Sequence, residues 1–148
     1  MVRFASILLA SFCVSFMVAI ETSPLKAIPL PNGEYVPYDP MVDGNLIFNA
    51  QEQTFDIKTT VDGCHLDVTG MTFSAPTPTE TKYKYNIAIG YDKTDLEIQV
   101  KKCVNTPVTI DDFAKPLDYY YCVAEKMKRN AIVAHWGKAP SMFTHEDK

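Results

Sequence analysis

One Asp-Gly pair constrains this chain more than any other stretch. Asp62-Gly63 stands between two runs of alternating apolar and polar residues. Phe55, Ile57, Thr59 and Val61 precede it, interleaved with Asp56, Lys58 and Thr60. Cys64, Leu66 and Val68 follow it, interleaved with His65, Asp67 and Thr69. Alternation sends successive side chains to opposite faces of a strand. A two-residue type I′ turn needs positive φ at both central positions, which Asp-Gly tolerates. The pattern therefore predicts a β-hairpin with one apolar face. Gly70 marks a bulge before Met71 and Phe73.

Further strands follow from the same period. Leu46-Ile47-Phe48 is a short apolar run. Tyr83, Tyr85, Ile87, Ile89 and Tyr91 alternate with Lys82, Lys84, Asn86 and Ala88. A turn at Asp92-Lys93 leads to Leu96, Ile98 and Val100, which alternate with Glu97, Gln99 and Lys101. These two runs read as a second hairpin. After Cys103 the pattern changes. Thr109 is placed to cap a short helix, with Asp112 three residues on and Pro116 ending it.

Residues 118–136 admit two readings. In the first, Asp118 caps a helix from Tyr119 to His135, closed by Gly137. In the second, the same stretch is a hairpin with a polar turn at residues 125–130. Alanine and methionine favour helix, whereas the Tyr run and Ile132-Val133 favour strand. We expect the helix. The resulting fold class is α+β, an antiparallel sheet of four to six strands with one C-terminal helix. An all-β sandwich is the alternative. The tail is expected to be ordered only to about Phe143.

The first residues decide the compartment. Arg3 is followed by an apolar run, and the first acid is Glu21. A short positive region, an apolar stretch and a small exit residue make a secretory signal peptide. We expect it to span residues 1–19. Residues 20–44 carry Pro24, Pro29, Pro31, Pro37 and Pro40. Proline removes donors and fixes φ, so this stretch is expected to be an extended arm rather than a central strand. Residues 45–148 then form one β-rich domain.

The chain has 14 basic and 18 acidic residues. Without the signal the net charge is −5, which exerts no general pull on phosphate backbones or anionic lipid. A nucleic-acid partner is disfavoured and no membrane partner is expected. Cys64, Cys103 and Cys122 remain in an oxidising compartment, so two of the three should pair. Three pairings exist. Cys64 with Cys122 is preferred, because their flanking segments look well ordered.

Enzyme signatures are sparse. The chain has no Cys-x-x-Cys, no His-Glu-x-x-His and no Gly-x-Ser-x-Gly. No metal, no cofactor and no catalytic residue are expected. An alternative is a secreted ribonuclease-like or RNA-binding protein, with His65, His135 and Glu97 or Glu80 as acid–base groups. Lys101, Lys102 and Arg129 would then hold phosphate. A third reading is an extracellular carrier or inhibitor, with the sheet shielding an apolar ligand. What remains is surface chemistry. Tyr119, Tyr120 and Tyr121 run together and cannot all point inward, and exposed Tyr suits binding faces. Tyr119 and Tyr121, with Lys126 and Arg129, are the candidate binding face.

In general layout the chain resembles the small secreted effector proteins of plant-pathogenic fungi. One large group of these, in powdery mildews, resembles secreted ribonucleases without their catalytic residues. Its members carry a Tyr-x-Cys motif early in the mature chain, ahead of a helix. Tyr120-Tyr121-Cys122 fits that pattern, but near the C-terminus. The resemblance implies a secreted virulence protein that binds a host protein without catalysis, acting outside the cell or after uptake into the host.

Overall fold

The computed structural model describes residues 28–121 and 129–146. The expected signal peptide and residues 20–27 of the expected arm lie outside them. The described chain is mostly antiparallel β. Among the described residues ten strands form one sheet, curled into a half-barrel, with a single short α-helix. This corrects the expectation of four to six strands plus a C-terminal helix and stands closer to the all-β alternative.

The strands are β1 (Gly33–Pro37), β2 (Gly44–Asn49), β3 (Thr54–Val61), β4 (Cys64–Phe73), β5 (Thr77–Pro78), β6 (Lys84–Ile87), β7 (Ile89–Gly90), β8 (Leu117–Tyr120), β9 (Arg129–Ala134) and β10 (Ser141–Glu146). Their order across the sheet is β5-β6-β8-β9-β10-β1-β2-β3-β4-β7. Residues 74–76 carry β4 into β5, and Ala88 alone separates β6 from β7. Ser74 N donates to Ala88 O at 2.9 Å, and Ala88 N donates to Ser74 Oγ at 3.0 Å. One bent pair of strands thus links both ends of the order.

The Asp-Gly hairpin forms as its residues require. Val61 pairs with Cys64, and Asp62 and Gly63 take φ of 46° and 84°. The register shifts between Phe55 and Ile57, and Gly70 N donates to Asp56 Oδ1 at 3.0 Å. This is the bulge at Gly70. Phe55, Ile57, Thr59 and Val61 all turn inward and are buried. They join a continuous core that includes Tyr35, Phe48, Leu66 and Trp136. Stacked and edge-to-face ring pairs, such as Phe48 with Phe55 at 4.9 Å, fill the curl.

Five further expectations need correction. The run at Leu96 is helix α1 (Leu96–Lys102), not the second strand of a hairpin. Leu96 and Val100 are buried one helical turn apart, while Ile98 is 56% exposed. That is a helical burial pattern. Its would-be partner run is split at Ala88 into β6 and β7. The helix expected after Asp118 is replaced by the rival hairpin strands, β8 and β9, paired antiparallel with Tyr119 opposite Ile132. Leu117 and Tyr119 point inward, as do Ile132, Ala134 and Trp136, which satisfies the strand period on both sides.

The proline-rich arm contains a central strand. β1 pairs with β2 through Gly33, Glu34 and Tyr35, and with β10 through Val36 and Pro37. Its only proline is its last residue, so the ladder keeps its donors. The tail is also longer in order than expected, since β10 runs to Glu146.

Finally, the disulfide joins Cys64 to Cys103, not to Cys122. Cys64 opens β4 and Cys103 is the C-cap of α1. Cys122 lies outside the described residues. The helix covers a stretch of β4 that has no strand on the side away from β3. β7 pairs with β4 only at Thr72 and Phe73. Further along, Asp67 N donates to Gln99 Oε1 at 2.8 Å, and Gln99 Nε2 donates to Asp67 O at 2.7 Å. A side-chain amide stands in for the missing peptide of a neighbouring strand, which protects an open edge.

Candidate binding surface

Three loops meet at one end of the curl. The first follows β1, where Tyr38 N donates to Met142 O at 2.8 Å and extends the pairing with β10 by one step. The chain then turns. Met41 N donates to Asp39 Oδ1 at 2.9 Å, and Val42 N to Asp39 O at 3.1 Å. The second is the Asp62-Gly63 turn. The third joins β9 to β10.

The third loop is held from two sides. Lys138 N donates to Asp62 Oδ2 at 2.7 Å. Gly137 N donates to Asp112 Oδ2 at 3.2 Å. Gly137 sits at φ +77°, and a Cβ there would collide with the Asp62 carboxylate. Beneath it Trp136 is 1% exposed and stacks on Phe113, 4.8 Å between ring centres. Phe113 belongs to the 3-10 helix Ile110–Ala114 that Thr109 and Asp112 were expected to begin. Asp112 Oδ2 accepts from Thr109 N at 3.0 Å, and its Oδ1 from Lys115 Nζ at 3.0 Å. Burial pushes the Asp112 carboxyl upward, but the bonds from Thr109, Lys115 and Gly137 outweigh it and hold it below its ordinary value.

Between these loops lies a hollow of about 360 Å³, lined by Pro37, Tyr38, Val42, Pro140 and Met142 among others. Apolar side chains are exposed on and around it. Tyr38 is 65% exposed, Met142 38% and Val36 48%. Met41, in the turn beside it, is 88% exposed. Asp39 and Asp62 supply the acidic lining. The result is an apolar rim on a braced base. Single surface apolars are ordinary, whereas a contiguous group rimmed by polar residues marks an interaction site.

A second arrangement lies on the outer face of the sheet. Asp118 on β8 is 7% exposed. Its Oδ2 sits 2.8 Å from His135 Nε2 and 3.3 Å from Lys84 Nζ. A carboxylate held by one imidazole and one lysine is a satisfied polar cluster. Of the ribonuclease candidates, only His135 belongs to it. His65 lies on the exposed side of β4, with Nδ1 3.2 Å from Thr60 Oγ1. Glu97 is exposed in the first turn of α1. No contact among the described residues joins any two of these three groups.

The Tyr run divides differently from the expected face. Tyr119 is 1% exposed and belongs to the core. Tyr121 is half-buried against it, and Tyr120 is the outward member at 36% exposed. Lys126 lies outside the described residues, and Arg129 opens β9. Tyr38 and Met142 are not among the candidate site residues of the sequence pattern. The signal for Tyr38 was its place between Pro37 and Pro40 in a loop. For Met142 no local signal exists.

Among the described residues no group of three or more His, Cys, Asp or Glu is arranged to hold a metal, and no helix is long and apolar enough to cross a membrane. No family model, no curated protein and no solved structure matches the chain.

Proposed function

We propose that this chain is a secreted, effector-like protein that binds a host protein without catalysis, and that the three-loop end is its docking face. The observation that carries this is the exposed apolar rim formed by Val36, Tyr38 and Met142 over a base pinned by Asp62 and Asp112. Loops on a rigid scaffold are where binding residues concentrate. A rim of Tyr and Met at the edge of a hollow matches the residue types enriched at protein interfaces.

The test compares two double variants of the full chain. Tyr38→Asp with Met142→Asp alters the proposed face. Ile98→Asp with Val104→Asp alters exposed apolar residues near α1, which are 56% and 74% exposed. All four side chains are exposed, so both variants should melt like the wild type. Cross-linking in host tissue should show a protein held by the wild type and the second variant but lost by the first. Retention by the first variant would refute the assignment. RNA cleavage by the wild type that His135→Ala abolishes would refute the non-catalytic reading.

A further inference from the structure

The hollow combines apolar walls with carboxylates that no cation neutralises. Asp39 and Asp62 line it, and Asp43 follows Val42 at its edge. Among the described residues none of the three forms an ion pair. Lys138, whose backbone is bonded to Asp62, ion-pairs with none of them. Asp39 uses Oδ1 to hold Met41 N, and Asp62 uses Oδ2 to hold Lys138 N. Each carboxylate is thereby oriented by one oxygen. Its second oxygen has no hydrogen-bond partner among the described residues.

We infer that the hollow receives an arginine side chain from an apolar segment of the partner protein. The inference rests on the docking face proposed above. Three features agree. Two oriented carboxylates offer acceptors to a planar, forked donor, which guanidinium matches better than ammonium. The Tyr38 ring, 65% exposed beside them, offers a face to the same cation. A volume of about 360 Å³ lies at the small end of ligand clefts and suits one long side chain with part of its neighbour. The rim at Val36 and Met142 then meets the apolar residues flanking the arginine. Phosphates and acidic peptides are repelled by the same charges.

The probe is a random-peptide display library, selected on the full oxidised chain. Selected peptides are then titrated against wild type, Asp39→Asn, Asp62→Asn and the Tyr38→Asp/Met142→Asp pair. Asparagine keeps an oxygen to accept from Met41 N or Lys138 N, so both single variants should fold, which their melting curves check. The inference expects peptides with an arginine beside apolar residues. They should bind about tenfold more weakly to Asp39→Asn or Asp62→Asn and lose affinity as salt rises. Peptides that need Tyr38 and Met142 but carry no cation, or bind both asparagine variants unchanged, would overturn the arginine inference and leave the docking face standing. If no selected peptide depends on Tyr38 or Met142, both fall.

Discussion

Asp62 and Lys138 are 76 positions apart, yet Lys138 N donates to Asp62 Oδ2 at 2.7 Å. The bond ties the β3–β4 turn to the β9–β10 loop. It sets the floor of the three-loop end, and Gly137 lets the two segments approach. Asp62→Ala should cost about 1 kcal/mol, the usual worth of one hydrogen bond. Gly137→Ala should cost more, about 2 kcal/mol or above, because it adds both a positive-φ penalty and a collision. Urea denaturation of the two variants checks the order. Equal or reversed effects would mean that the loop relaxes freely.

The Cys64–Cys103 bridge joins residues 39 positions apart, a closure that the chain-entropy treatment values at about 4 kcal/mol. Replacing both cysteines with serine should lower stability by about 2–4 kcal/mol. Non-reducing peptide mapping of the wild type should recover Cys64 linked to Cys103. A Cys64–Cys122 peptide would contradict the structure.

Asp112 makes stability depend on acid. Its folded pKa lies below the ordinary carboxylate value of 3.8. The charged form is therefore favoured by folding. Its stabilisation is complete above that ordinary value and is lost as pH falls through the lower folded pKa. Asp112→Asn should cost about 2 kcal/mol at neutral pH, since hydrogen bonds to a charged acceptor are stronger. The gap from wild type should narrow on acidification below about pH 4. Melting temperatures across pH read this directly, and a constant gap would refute it.

Gln99 bonds α1 to the open stretch of β4. Gln99→Leu keeps the helix propensity but removes both bonds to the Asp67 backbone. The expected loss is about 1–2 kcal/mol. Amide exchange should quicken at Asp67 while Ile57 and Phe55 on β3 stay protected. Unchanged exchange at Asp67 would show that the edge is guarded by something else.

Much of this fold was legible where a residue's local partners determine its conformation. The Asp62-Gly63 turn, the bulge at Gly70 and the start of a short helix at Thr109 depend on residues within a few positions of each other. Strand alternation in β3 and β4 was equally clear, because four successive inward residues leave one solution. The stretch at Leu96 was not legible. Burying Leu96 and Val100 suits a strand and a helix alike, since both periods bring residues four apart to one face. Only the uncovered edge of β4 and the bond to Cys103 select the helix.

The candidate site was the least legible part. Tyr119 looked like a surface residue because it sits in a run of three, but sheet register turned it inward. Tyr38 and Met142 are distant in sequence and meet only because β1 pairs with β10. The sequence by itself determined alternation, turn chemistry, net charge and the number of cysteines available to pair. Tertiary structure alone decided which cysteines met, which Tyr faced water and which carboxylates shared a hollow. Those outcomes depend on contacts between distant segments, whose free energies no local pattern records.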